Sequence, residues 1–190
     1  QGEQGNREKN QTKKNQRTRF LKNRTHQQRK FILKLLPHKK PMPHQLNIVL
    51  VEPEIPMNTG TIGRLCLATE STLHLIEPLG FEISDKQLKR AGLDYWKHVE
   101  VKTYPNLELF LAKIPPSAQK VFFSTKGEKD FFQHTFQPGA YLFFGSETRG
   151  LPQDLIQAHR EQTYCIPQYD DRVRSINIAN VVSIVTYEAI

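Results

Sequence analysis

Between Tyr141 and Pro152 an apolar run, Tyr141-Leu142-Phe143-Phe144, breaks into a glycine-bounded polar loop, Gly145-Ser146-Glu147-Thr148-Arg149-Gly150, and restarts behind Pro152. Such a run suits a strand buried on both faces of a parallel sheet, and ligands collect at the carboxyl ends of such strands. Gly145 and Gly150 would let backbone approach a ligand closely. Glu147 and Arg149 then stand as charged groups at that ligand edge, although the loop alone also fits an ordinary strand-to-helix turn. Two more loops carry polar groups near strand ends: Asn58-Thr59-Gly60 with Arg64 beyond it, and Ile166-Pro167 leading to Ser175-Ile176-Asn177. Asn58, Ser175 and Asn177 are residue types that cap helices, so each by itself has a purely structural use.

The elements that would position these loops alternate between strand and helix. Leu46 to Val51 is a β-branched apolar run stopped by Pro53 and Pro56. Asn58-Thr59-Gly60 can cap a helix reaching about Glu70, with Ile62, Leu65, Cys66 and Thr69 on one face and Arg64 off it. Leu73 to Ile76 reads as a second strand. Ser84-x-x-Gln87 is a capping box that opens a helix ending at Gly92 and presenting Lys86, Lys89 and Arg90 together. That basic triad fits a solvated face, with RNA phosphate contact as the alternative. A short strand at Val99 to Val101, a helix from Leu107 to Lys113 and a strand from Lys120 to Phe123 follow, the last leading into Thr125-Lys126-Gly127. After the central loop come a helix from Pro152 to His159, a strand from Thr163 to Ile166, a polar loop from Pro167 to Ser175, and a helix carrying Ile178, Val181, Val182 and Val185. The pattern predicts an α/β fold with a parallel sheet flanked by helices. The last helix reaches Ile190 without a stop signal, which predicts a natural chain that runs further.

Charge divides the chain near Pro41. Residues 1–41 hold 13 Lys+Arg against 2 Asp+Glu, and the remainder 14 against 17, so the net +8 belongs to the N-terminal segment. Any RNA attraction in the domain at 42–190 must therefore be local. The segment 1–41 is rich in Gln, Asn, Lys and Arg, poor in apolar residues, and reads as a basic, disordered extension. It fits an RNA-grasping arm, an organelle transit peptide, or sequence foreign to the mature domain. Its lack of serine argues against a transit peptide, and Met42, just before the first strand pattern, reads as a natural start. Cys66 and Cys165 lie far apart in apolar patterns and predict buried thiols in a reducing cytoplasm. No metal-ligand spacing, dinucleotide fingerprint, phosphate loop or membrane-length apolar run is present, which disfavours metal, dinucleotide, nucleoside triphosphate and membrane roles.

Taken together, Asn58-x-Gly60-x-x-x-Arg64, Gly145-x-Glu147-x-x-Gly150 and Ile166-Pro167 leading to Ser175-Ile176-Asn177-Ile178-Ala179-Asn180 resemble the SPOUT methyltransferases. Glu52-Pro53-Glu54-Ile55-Pro56, Ile76-Glu77-Pro78-x-Gly80-Phe81, Arg90-Ala91-Gly92-Leu93-Asp94-Tyr95 and Thr125-Lys126-Gly127 extend the likeness to the tRNA (cytidine(34)-2'-O)-methyltransferase family, over roughly Leu46 to Ile190. The resemblance implies a SPOUT-type fold with a C-terminal deep trefoil knot, a homodimer that completes the active site, and S-adenosyl-L-methionine bound by Phe123, Gly145, Ile166 and Ser175. One extra residue between Gln168 and Arg174 departs from the usual family pattern.

The implied reaction moves a methyl group from a sulfonium to a ribose 2'-hydroxyl of tRNA and needs no metal. Its difficulty is a nucleophile almost fully protonated at neutral pH. Arg64 occupies the family's catalytic position, yet a guanidinium has a pKa above about 12 and no acceptor, so orientation and alkoxide stabilisation suit it better than proton abstraction. Asn58, Glu147, Ser175 and Asn177 match the other functional positions, with Glu147 expected to anchor Arg64 and to be the carboxylate placed for a proton. Lys86, Lys89, Arg90 and Arg149 are the RNA-binding candidates. Two alternatives stay open: a 2'-O-methyltransferase for another tRNA or ribosomal RNA site, and a non-catalytic knotted RNA-binding dimer.

Overall fold

Along each central strand, alternate apolar side chains pack to opposite faces of one sheet, so both faces need a helical cover. The computed structural model describes residues 45–82, 95–132 and 134–190. Among them seven strands form one parallel sheet: β1 (Asn47–Val51), β2 (Thr72–Ile76), β3 (Val101–Tyr104), β4 (Lys120–Phe123), β5 (Lys129–Asp130), β6 (Tyr141–Phe144) and β7 (Thr163–Cys165). Their spatial order is β3-β2-β1-β6-β4-β7-β5. Register runs Ile48 beside Leu73 and Leu142, and Val121 beside Leu142. Four helices accompany them: α1 (Pro56–Ala68), α2 (Leu107–Leu111), α3 (Gln153–Ala158) and α4 (Ile178–Ala189).

Ile48, Leu50, Leu73, Val121, Phe123, Leu142 and Phe144 meet Ile62 and Cys66 of α1 and Val182 and Val185 of α4. Val49, Val51, Phe122 and Phe143 meet Phe110 of α2 and Leu155 and Ile156 of α3 on the other face. α1 and α4 pack on each other, which brings the last of the described helices against the first. Burial pushes the Cys66 thiol up to about 12, so it packs as an inert apolar group. Cys165 is only half-buried, short of its expected burial.

Local signals account for three of the helix starts. Pro56 takes the first turn of α1, where its missing N–H costs nothing. Asn106 and Asn177 cap α2 and α4, accepting from Leu109 N at 2.8 Å and Ala179 N at 2.9 Å. Three expectations need correction. Asn58 lies inside α1, whose cap position is Ile55 and carries no side-chain hydrogen bond. The third strand is Val101–Tyr104, because Trp96–His98 winds into a short 3-10 turn ahead of it. A two-residue strand, Lys129–Asp130, went unforeseen at the sheet edge. The expected helix at 84–92, with Lys86, Lys89 and Arg90, and the segment 1–41 lie outside the described residues.

Within β2, His74 is buried with Nε2 3.0 Å from Asn47 Oδ1 and Nδ1 3.3 Å from the Tyr104 hydroxyl. Burial, reinforced by the Lys102 charge, lowers it from 6.5 to about 4. The unfolded chain therefore takes up this proton from about pH 6.5 downward, whereas the folded chain resists it until about pH 4. Stability is unaffected by His74 above that window and falls as pH drops through it, by about 2 kcal/mol at pH 5. Urea unfolding of wild type and His74→Gln at pH 7 and pH 5 checks this. The wild type is expected to lose about 2 kcal/mol more than the variant on acidification, and equal losses would remove His74 as the cause.

Candidate active site

β6, β4 and β7 are neighbours in the sheet, and the loops leaving their carboxyl ends meet the starts of α1 and α4 around one cleft of about 560 Å³. Chain order reverses beside β1, flanked by β2 on one side and β6 on the other, which is where an open parallel sheet makes a crevice. Phe123, Phe144, Leu151, Ile166 and Ile178 supply apolar walls. Ser124, Thr125, Glu147 and Ser175 supply polar groups among them.

The glycine-bounded loop is a tight reversal. Gly150 N donates to Ser146 O at 2.9 Å, Arg149 N to Ser146 Oγ at 3.3 Å, and Gly150 adopts φ +71°. Gly145 lies so close beneath the loop's return that a Cβ would stand 2.0 Å from Gly150 C and Leu151 N. The loop is tied to the segment between β1 and α1 by its charged residues. Glu147 Oε2 accepts from Glu54 N at 2.8 Å, and its Oε1 from Asn58 Nδ2 at 2.9 Å and Ile55 N at 3.3 Å. Thr148 donates through N and Oγ1 to Glu54, while Arg149 Nη2 meets Glu52 Oε2 at 2.7 Å. Asn177 Nδ2 then donates to Asn58 Oδ1 at 3.1 Å, so a chain of contacts runs from Glu147 through Asn58 to the cap of α4.

Phe123, Gly145, Ile166 and Ser175, the expected cofactor contacts, all line the cleft, as do Asn58, Glu147 and Asn177. Arg64 does not line it; its guanidinium lies 4.5 Å from the Tyr95 ring centroid, and Tyr95 donates its hydroxyl proton to Gly60 O. The expected anchoring of Arg64 by Glu147 is thus not made among the described residues. The carboxylate instead serves Glu54, Ile55 and Asn58. Arg149 is bound to Glu52 and Glu54, so it holds the loop down before it can hold anything else. Lys126 and Arg174 line the cleft and were missed as site residues. Thr125-Lys126-Gly127 had the signal of a loop at a strand end, whereas Arg174 had only its place beside Ser175.

Apolar walls with exposed strand-end backbone suit a flat heteroaromatic group, and the amide–carboxylate chain at the rim can orient hydroxyls. Residues 45–187 match the model of the SpoU rRNA Methylase family. The tRNA (cytidine(34)-2'-O)-methyltransferase of Aeromonas hydrophila is 49% identical over 146 residues, covering 76% of this chain and 92% of that protein. The one from Burkholderia ambifaria is 44% identical over 145 residues, covering 75% and 92%. A solved structure described as giving insights into the 2-OH methylation of C/U34 on tRNA superposes with a TM-score of 0.72 at 44% identity, covering 77% of this chain and 95% of that one.

Proposed function

The chain belongs to the SpoU rRNA methylase family, and on that premise we propose that it methylates the ribose 2'-hydroxyl of nucleotide 34 of tRNA with S-adenosyl-L-methionine as donor. The observation that carries this reading is the meeting of Asn58, Glu147, Ser175 and Asn177 with Phe123, Gly145 and Ile166 in one cleft, in a chain with relatives of that activity. The fold is the α/β SPOUT arrangement with its knotted C-terminal part.

The cleft suits the donor by its chemistry. Phe123, Ile166 and Ile178 offer a dry seat for an adenine, and Gly145 lines the cleft where its missing side chain lets the loop's return pack directly against it. When bound, S-adenosylmethionine supplies a methyl group already activated by its sulfonium charge. The protein must make the 2'-oxygen nucleophilic and aim it. Glu147 is the carboxylate among the lining residues, and its Oε2, engaged by one donor, receives the hydroxyl proton. Its Oε1 fixes Asn58, which fixes Asn177, so the rim amides are oriented before substrate arrives. Ser175 lies beside them to hold the ribose. Arg64 lies outside the cleft of its own chain and, having donors only, is assigned to the developing alkoxide and the neighbouring phosphate of a site completed in the dimer.

Further assignments belong to the same reading. The enzyme works as a homodimer, with Ile55, Met57, Leu67, Ile184 and Tyr187 leaving an exposed apolar surface on α1, α4 and their approach. Residues 42–190 are the methyltransferase domain and 1–41 a basic extension, with Lys86, Lys89 and Arg90 as RNA contacts, while Arg149 is taken up by Glu52 and Glu54. The protein acts in the cytoplasm; among the described residues no helix is long and apolar enough to cross a membrane.

Incubating the protein with unmodified tRNA and methyl-labelled S-adenosylmethionine, then locating the label by nuclease digestion and mass spectrometry, tests the reading. A 2'-O-methyl group at position 34 is expected. Label at another nucleotide would keep the reaction and replace the substrate, and cofactor binding without transfer would leave an RNA-binding dimer.

A further inference from the structure

Residues 167–174 hang from the cleft at both ends, since Ile166 and Gln168 line it on one side and Arg174 and Ser175 on the other. Between those anchors the loop carries Tyr169, which is 97% exposed, the most exposed large hydrophobic side chain among the described residues. Burial offers no reason for an aromatic ring there. The loop is shaped rather than slack: Arg172 N donates to Asp170 Oδ1 at 3.0 Å, and the Arg172 guanidinium closes on the same carboxylate through Nε at 2.9 Å and Nη2 at 2.5 Å. That clasp directly follows Tyr169 and pairs the two exposed charges with each other.

Arg174 differs in that respect. Of the arginines among the described residues, Arg149 pairs with Glu52, Arg160 with Glu128 and Arg172 with Asp170, while Arg64 lies over Tyr95. Arg174 has no such partner among the described residues, and it faces the cleft. An unpaired guanidinium at the rim and a bare aromatic ring five residues away match the two needs of single-stranded RNA recognition. One is a cation for the backbone and the other a π-face for a splayed base.

We propose that this loop reads the RNA beside the reacting nucleotide, Tyr169 stacking on an unpaired nucleobase and Arg174 holding the adjoining phosphate. The inference rests on the reading of the chain as an RNA 2'-O-methyltransferase. Its test is therefore built on RNA binding as well as on turnover. Fluorescence anisotropy with a labelled anticodon stem-loop measures affinity for wild type, Tyr169→Ala, Tyr169→Phe and Arg174→Ala over a range of salt, and calorimetry measures S-adenosylmethionine affinity in parallel. Tyr169→Ala is expected to weaken RNA binding roughly tenfold and to raise KM for the RNA alike, with kcat and cofactor affinity unchanged. Tyr169→Phe is expected to restore the loss, because the face and not the hydroxyl does the stacking. Arg174→Ala is expected to lower the salt slope by about one, which Tyr169→Ala leaves alone. RNA affinity indifferent to Tyr169→Ala overturns the proposal, as does a Tyr169→Phe variant that binds no better than Tyr169→Ala, or a parallel loss of cofactor affinity. Wild type that binds the stem-loop but methylates no position 34 would refute the functional reading while the anisotropy series still judges the loop.

Discussion

Arg64→Ala is expected to lower methyl transfer to tRNA by about 10²–10³-fold while leaving S-adenosylmethionine affinity within a factor of two. A guanidinium stays protonated at any working pH and has no lone pair to offer, so the role proposed for it is to meet negative charge as it develops on the 2'-oxygen and the phosphate beside it. Its place in the single chain fits a residue kept ready: it lies off the buried face of α1 and over the Tyr95 ring, away from the cleft that holds Glu147 and Ser175. A residue that binds the cofactor would line that cleft, which is why cofactor affinity should survive its loss. Lysine at 64 should recover only part of the rate, since it returns the charge without the planar fork. Stopped-time assays with saturating cofactor, beside calorimetric titration of the same preparations, measure both quantities. Transfer that persists in Arg64→Ala while RNA affinity drops would make Arg64 a binding residue and move the chemistry elsewhere.

The location of Arg64 also bears on the dimer. If the cleft of one subunit is completed by the Arg64 of its partner, mixed dimers of Arg64→Ala with a cleft-dead chain regain activity at one of their two sites. That outcome requires the exposed apolar surface around Met57 and Tyr187 to be covered by a second copy.

How far these residues could be read from sequence depends on the range of the contact that places them. β6 was legible to both ends because four bulky apolar residues stand between turn signals, and the sheet buries both faces of such a run. β5 was not, because Lys129 and Asp130 have no apolar alternation and pair only at an edge. Asn177 could be read as a cap, since its partner Ala179 is two residues away. Its other bond, to Asn58, spans 119 residues and has no local signature. Asn58 shows the cost of a local rule applied without that knowledge: it looks like a helix cap, yet Pro56 had already started α1 and the amide was free to join Glu147. The knot was beyond any periodicity, because threading depends on the path of the chain in space and only the resemblance of whole motifs pointed to it.

Gly145→Ala is expected to lower S-adenosylmethionine affinity by about 10²-fold or more in a protein that still folds. The added methyl would sit 2.0 Å from Gly150 C and Leu151 N, and these are backbone atoms that no rotamer can move aside. The return limb of the loop must shift outward, and it carries Glu147, Thr148 and Arg149, whose bonds to Glu54, Asn58 and Glu52 would stretch together. Gly150→Ala provides the contrast. A Cβ at 150 meets nothing within 4 Å, so its only penalty is the left-handed backbone at φ +71°, on the order of 1 kcal/mol, and Gly150→Asn should relieve part of it. Circular dichroism on both variants separates folding from binding, and calorimetry with the cofactor ranks them. The order expected is wild type, Gly150→Asn, Gly150→Ala and, far below, Gly145→Ala. Cofactor affinity in Gly145→Ala within threefold of wild type would mean that the loop is not the cradle of the donor, and the cofactor site would have to be sought outside this cleft.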